Sequence, residues 1–182
     1  MRIREEIFTL PDGRTLTLRS AAADDWERLA EHRRITSGET HFMARWPEEC
    51  AFNEDKMRTY LTAAENSPLG FMVTAFDGGQ IVGDLGVSEV RPHLKYVHRA
   101  YMGISIRQAY CGCGLGSRML EIALEQAKQN GFEQMELGVF SDNERAIGLY
   151  TKYGFQRFGI VPRAYKLKDG SYRDEITMVR FL

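Results

Sequence analysis

Three glycines lie within the six residues Cys111-Gly112-Cys113-Gly114-Leu115-Gly116. Before them runs Ala100-Tyr101-Met102-Gly103-Ile104-Ser105-Ile106, which reads as a strand. After them Leu115, Met119, Ile122, Ala123 and Ala127 recur on one helical face. Glycines at a strand-to-helix junction let the main chain approach a ligand and turn its amide N–H groups outward, where the helix dipole also favours an anion. The chemistry that suits this is the holding of a phosphate or pyrophosphate. A Walker loop would need Lys-Ser/Thr after the glycines, and the chain instead reads Gly114-Leu115-Gly116-Ser117-Arg118. The spacing Gly112-x-Gly114-x-Gly116 also departs from the Gly-x-Gly-x-x-Gly of dinucleotide folds. A tight turn without a ligand is the other reading of these glycines.

The other residues of chemical interest form no metal or disulfide pattern. Cys50, Cys111 and Cys113 are odd in number, and two are separated by one residue, which argues against a disulfide framework. His32, His41, His93 and His98 fall into no His-x-x-x-His or Cys-x-x-Cys arrangement, so no metal is expected.

The elements that must position the glycine loop follow from periodicity and turn signals. Ile7-Phe8 and Leu16-Thr17-Leu18 flank Pro11-Asp12-Gly13-Arg14 as a hairpin. Asp24 or Asp25 is placed to cap a helix carrying Trp26, Leu29 and Ala30 that ends near Ser37-Gly38. Asn53 is placed to cap a second, with Met57, Tyr60, Leu61 and Ala64 on one face, stopped by Asn66-Ser67-Pro68. Strands Phe71 to Phe76 and Ile81 to Val87 are joined by Asp77-Gly78-Gly79. After the loop and its helix, which Asn130-Gly131 ends, come a strand Met135 to Phe140 and a short helix from Asn143 to about Tyr153. Strands near Phe155 to Leu167 and Tyr172 to Phe181 close the chain. This order predicts a mixed α/β (α+β) domain over residues 1–182, with a mostly antiparallel sheet of about seven strands, about four helices and one strand-helix-strand crossover.

Downstream of the loop stands Asn143-Glu144-Arg145-Ala146-Ile147-Gly148-Leu149-Tyr150-Thr151-Lys152-Tyr153-Gly154-Phe155. With the glycine loop, this segment resembles the GCN5-related N-acetyltransferase (GNAT) superfamily. That family's loop pattern, Arg/Gln-x-x-Gly-x-Gly/Ala, is matched except at Cys111, and its later pattern, Asn-x-x-Ala-x-x-Leu-Tyr-x-Lys-x-Gly-Phe, is matched throughout. The resemblance covers the element order from about Ile3 to Leu182. Glu39-Thr40-His41-Phe42-Met43, Pro47-Glu48-Glu49 and the ending Asp169 to Met178 look like a bacterial branch related to the ribosomal-protein and small-amine acetylating groups.

The resemblance implies an acetyl-CoA-dependent N-acetyltransferase acting by direct attack of a neutral amine on the thioester. The pyrophosphate would be held by main-chain N–H groups around Cys111, Gly112, Cys113, Gly114, Leu115, Gly116 and Ser117, with Arg118 supplying the charge lost at Cys111. The pantetheine arm would pair with Gly103, Ile104 and Ile106, and Asn143 would bond it while also serving as a helix cap. Amides of the cleft would stabilise the oxyanion. Tyr150 matches the family tyrosine beside the sulfur and would act as the acid. An amine is mostly ammonium at neutral pH, so a base is also needed. His98, on the strand before the loop, has an imidazole suited to this. Glu89, at the end of the preceding strand, is its rival, acting through water.

Composition bounds the partners. The 182 residues carry 24 basic and 25 acidic side chains, a formal charge of −1, which argues against a general nucleic-acid binder. Residues 145 to 182 hold eight basic and three acidic side chains, a net of +5, leaving −6 for residues 1 to 144. Glu39, Glu48 and Glu49 would then favour a cationic amine acceptor, whether small molecule or peptide. No apolar run approaches the roughly 20 residues that span a bilayer, and the start carries no apolar signal, so a cytoplasmic location off the membrane is expected. The closing strands offer a face for a homodimer. Two competing readings are a catalytically weak acyl-CoA-binding or sensor module and, behind it, a nucleotide-binding domain of another fold.

Overall fold

A computed structural model describes residues 1–182. The chain opens with strands β1 (Glu6–Thr9) and β2 (Thr15–Arg19), joined through Gly13, whose φ of 89° is one that glycine adopts without strain. Helices α1 (Trp26–Glu39) and α2 (Glu54–Asn66) follow, then β3 (Phe71–Asp77), β4 (Gln80–Glu89) and β5 (Arg99–Ile106). Helix α3 (Leu115–Gln129), β6 (Gln134–Phe140), α4 (Glu144–Lys152), β7 (Gln156–Lys166) and β8 (Tyr172–Phe181) complete it. The eight strands, one more than expected, form one sheet in the order β1-β2-β3-β4-β5-β6-β8-β7. Every neighbouring pair is antiparallel except β5 and β6, which α3 connects as the expected crossover.

Both sheet faces are covered. On one, Leu16, Leu18, Val73, Leu85 and Met102 bury against Leu115, Met119 and Leu120 of α3, with Ile147 and Tyr150 of α4 extending the layer. On the other, Met72, Phe76 and Ile81 pack under Leu29 of α1 and Met57 and Leu61 of α2. Asn53 caps α2 as expected, accepting from the Lys56 N–H at 3.1 Å. Asp25 does not cap α1. Its buried carboxylate is taken by Arg19 at 2.7 and 3.0 Å, by Arg28 at 3.0 Å and by the Ala22 N–H at 2.9 Å. Charge-assisted bonds of this kind outcompete a neutral cap.

The site depends on how β5 and β6 part. They pair only over Arg99–Tyr101 with Gln134–Glu136. At that end Arg99 grips Glu136 with two hydrogen bonds, of 2.6 and 2.8 Å. Beyond it β5 stays in register with β4 through Ile106, and β6 stays with β8 through Phe140. Each strand follows its outer neighbour, and sheet twist carries the two apart. The facing edges from Met102 to Ile106 and from Leu137 to Phe140 are left with unpaired main-chain groups, a template for an extended ligand.

Candidate active site

At the mouth of this parting the glycine loop turns into α3. Gly112 and Gly114 have φ of 83° and 89°, and Gly114 is the N-terminal cap residue of the helix. A Cβ on Gly116 would lie 3.2 Å from Ile106 Cδ1 and 3.4 Å from Leu149 Cδ2, so glycine there brings the helix start close to β5 and α4. None of the six N–H groups from Gly112 to Ser117 donates a hydrogen bond within the protein. Six consecutive free donors at a helix N-terminus make a built anion cradle, which fits a pyrophosphate.

The cradle lines a cavity of about 460 Å³, together with Ile104, Ile106, Cys111, Asn143, Leu149 and Tyr150. Cys113 and Leu115 offer only their main-chain N–H groups. The Cys113 thiol donates to the Tyr110 carbonyl at 3.0 Å, and the Leu115 side chain is fully buried in the core. Asn143 caps α4 through Oδ1, which accepts from the Ala146 N–H at 3.2 Å, so its amide nitrogen stays free toward the cavity. Burial raises the Cys111 thiol pKa, which leaves it a poor nucleophile.

Arg118 does not face the cradle. Its guanidinium is paired with Glu6 and Glu121 on the outer side of α3. The cation that does line the cavity is Arg145, in the first turn of α4, whose Nη2 lies 3.0 Å from where a Gly112 Cβ would sit. It stands inside the quoted Asn143–Phe155 segment, at a position its pattern leaves open. Tyr150 is 6% exposed, and no protein group hydrogen-bonds its hydroxyl. Burial, and secondarily Tyr101, hold its pKa well above the ordinary tyrosine value, so it is a neutral phenol able to give a proton.

A second cavity of about 490 Å³ lies between the sheet and helices α1 and α2. It shares Met43, Ile104 and Ser105 with the first, so the two meet at the middle of β5. Gly103 lines this second cavity and not the first. It sits directly opposite Gly86 of β4, and this glycine pair leaves the floor without side chains. Arg33, Arg45 and Asp84 are the charged groups around it, and Tyr60 and Tyr101 are its phenols. Arg33 stacks 4.9 Å from the Tyr60 ring and stands 3.6 Å from Asp84, whose other oxygen accepts from Thr74 at 3.1 Å. Burial raises the Asp84 pKa despite Arg33 and Thr74.

The two expected bases are not brought here. His98 precedes β5 at its paired end, where its carbonyl accepts from Glu133 and Gln134 N–H at 2.8 and 3.2 Å, and it lines neither cavity. At about 3.3 Å per strand residue it lies on the order of 20 Å from Ile104. Glu89 pairs with Ala100 and continues the Leu85–Val87 alternation onto the α3 face, also outside both cavities. The acids of the Glu39 to Glu49 stretch are spent as well. Glu39 accepts from the Gln108 N–H at 2.8 Å, Glu49 from the Trp46 N–H at 2.8 Å, and Glu48 pairs with Lys168. From that stretch it is Thr40, Phe42, Met43, Ala44 and Arg45 that reach the cavities.

Several groups have no signal in the linear sequence, because their partners are remote in the chain. His32, fully buried, bonds Ser105 across 73 positions. His41 reaches Asp142 at 2.9 Å, which also accepts from Arg173 at 2.7 Å. Tyr165 donates to Glu175 at 2.7 Å while its ring stacks on Phe140 at 3.7 Å.

Known proteins supply the comparison. Residues 26–155 match the family model described as "Acetyltransferase (GNAT) family". The N-alpha-acetyltransferase RimI of Mycobacterium tuberculosis is 38% identical over 117 residues, 63% of this chain and 68% of that protein. The L-amino acid N-acetyltransferase AaaT of Escherichia coli is 32% identical over 110 residues, 60% of this chain and 66% of that protein. A GNAT-family acetyltransferase structure from Streptococcus pneumoniae superposes with a TM-score of 0.87 at 27% identity, covering 92% of this chain and 99% of that one. The phosphinothricin acetyltransferase of Sinorhizobium meliloti, solved in complex with AcCoA, shares the fold with a TM-score of 0.79 at 23% identity, covering 92% and 88%. The family match, the parted strands and the donor cradle lead to one assignment: this chain belongs to the GNAT family of acetyltransferases.

Proposed function

We propose that the chain transfers the acetyl group of acetyl-CoA to the primary amine of a small acceptor that also bears a carboxylate. The observation that carries this reading is the meeting of two cavities at Ile104 and Ser105, one an anion cradle and the other lined by two guanidinium groups. The residues from Gly112 to Ser117 and Arg145 would hold the pyrophosphate, and the free edge of β5 at Ile104 and Ile106 would pair with the pantetheine arm. Asn143 would bond that arm, and Tyr150 would protonate the departing thiolate. Unpaired amides of β5 beside the thioester carbonyl would stabilise the developing oxyanion.

The acceptor reading reverses the expectation of a cation-seeking cleft. Asp84 is the one carboxylate around the second cavity, and Arg33 and Arg45 outnumber it, so a net negative group is the complement. AaaT, named for L-amino acids, is a relative that fits this chemistry. No helix is long and apolar enough to cross a membrane. Phe158, Ile160 and Val161 are exposed on the edge strand β7, the face on which the expected homodimer would pair.

The test is thiol release from acetyl-CoA with L-alanine, L-methionine, L-phenylalanine, their amides, spermidine and an alanyl peptide as acceptors. Free amino acids are expected to exceed their amides by about tenfold or more in kcat/KM, the worth of one charged hydrogen-bonded contact. Arg33→Ala should erase that preference. Preference for spermidine would overturn the acceptor class, and CoA binding without turnover on any acceptor would make the chain a sensor.

A further inference from the structure

We infer that Glu175 is the general base of the reaction, reaching the acceptor amine across the gap that Gly138 leaves in β6. This rests on the transferase reading above and supplies the base that His98 and Glu89 do not.

Glu175 belongs to β8, in register with Phe140 of β6 on one side and with Val161 of β7 on the other. Its side chain does not stay over its own strand. It crosses β6 at Gly138, where a built Cβ would lie 2.8 Å from Glu175 Cδ, too close for any side chain to share the space. Glycine inside a strand costs roughly 0.5–1 kcal/mol and packs nothing, and it commonly marks a close approach by another group. Here the approaching group is a carboxylate. It arrives where β6 has already lost β5 as a neighbour, since the parallel pairing stops at Glu136.

Its surroundings suit proton transfer. The Tyr165 hydroxyl of β7 donates to Oε1 at 2.7 Å, and the Tyr165 ring is held by its stack on Phe140. Oε2 has no donor in the protein. Glu175 itself lines neither cavity; its link to the second is Tyr101 of β5, which lines that cavity and whose hydroxyl comes to 3.2 Å from the same built Cβ on Gly138. Burial raises the pKa of both phenols, and Glu175 adds to it by its charge in Tyr101 and by its hydrogen bond and charge in Tyr165, so both stay neutral beside it. Tyr150 of α4 lies on the far side of Tyr101, close enough to feel it, and Glu136 of β6 is the remaining acid acting on Tyr101. Acid and base therefore flank the parted strands with Tyr101 between them. The other acid at the second cavity, Asp84, is already committed to Thr74 and Arg33.

The step balances as follows. Oε2 of Glu175 takes one proton from the acceptor ammonium through one water. The freed nitrogen lone pair forms the N–C bond to the thioester carbonyl carbon. The C–S bond breaks, the thiolate takes the proton of Tyr150, the surplus proton on nitrogen restores Tyr150, and Glu175 gives its proton to solvent. One proton is released per turnover.

The experiment measures kcat, KM and pH dependence for Glu175→Gln and Gly138→Ala, using the panel acceptor with the highest wild-type kcat/KM. Glu175→Gln keeps the shape and an acceptor for Tyr165. It is expected to lose about 100-fold or more in kcat, the usual range for a general base, with CoA affinity by calorimetry unchanged. Its residual rate should climb with pH toward the amine pKa, because the neutral amine then forms without help. Gly138→Ala should displace the carboxylate and lower kcat similarly, and the double variant should be no worse than Glu175→Gln alone. Retention of wild-type kcat by Glu175→Gln, or fully additive losses in the double variant, would overturn the assignment. Absence of turnover in the wild-type protein would overturn the transferase reading and this one with it. A wild-type rate with an unimpaired variant removes only Glu175.

Discussion

The Nε2 atom of His32, on α1, lies 2.8 Å from Ser105 Oγ on β5, at the wall shared by the two cavities. The ring is fully buried, and burial, assisted by Arg107, pushes its pKa down to about 4. It is therefore a neutral tether between helix and sheet. In the unfolded chain the same ring has a pKa near 6.5.

This makes stability pH-dependent. With the folded pKa below the unfolded one, the contribution of His32 is fully present above pH 6.5 and is lost progressively as pH falls toward 4. A difference of this size corresponds to about 3 kcal/mol at 1.36 kcal/mol per pKa unit. Urea unfolding of wild type and His32→Gln at pH 7 and pH 4.5 checks it. The variant should be less stable at pH 7 and lose less on acidification, and parallel curves would count against the tether.

Tyr150→Phe should lower kcat by about 10- to 100-fold while leaving the KM for acetyl-CoA within about twofold, since only the proton donor is removed. The fold should be unaffected, because no protein group depends on the hydroxyl. Unchanged turnover would remove Tyr150 as the acid.

Two arginines separate cofactor binding from packing. Arg145→Ala is expected to weaken CoA binding by about tenfold, the scale of one charge-assisted contact to phosphate. Arg118→Ala should leave CoA affinity unchanged and alter stability by less than about 1 kcal/mol, as its pairs with Glu6 and Glu121 are partly exposed. Titration calorimetry with CoA on both variants decides between them.

Gly86 tests the second cavity. A Cβ there would meet only the Tyr60 hydroxyl, at 3.9 Å, so Gly86→Ala fits without a clash and takes up acceptor space. An increase of about tenfold or more in acceptor KM is expected, with CoA affinity unchanged. An unaltered acceptor KM would move the acceptor site elsewhere.

The local features were legible in the sequence for local reasons. Periodicity announces α2 and α3, Asn53 caps as its type predicts, and Gly112 and Gly114 adopt the positive φ that a strand-to-helix turn requires. Asn143 was legible as a helix cap from its type, and the place of Tyr150 came from the resemblance of the Asn143–Phe155 segment to the family pattern. Arg118 was misread because proximity in sequence to the glycine loop does not decide which side of α3 a residue takes.

What the sequence by itself determined is therefore the cradle, its helix and the Asn143 cap beside it, because each depends on dihedral preference, residue type and spacing within a single element. The tertiary structure decided which acids and cations come together. Glu175 meets Gly138 only because β8 lies against β6 at that register, and Arg33 meets Asp84 only because α1 packs over β4. His98 is removed because the strands part at the opposite end of β5. Twist and register across a sheet set these meetings, and they are properties of strands together, which no single segment carries.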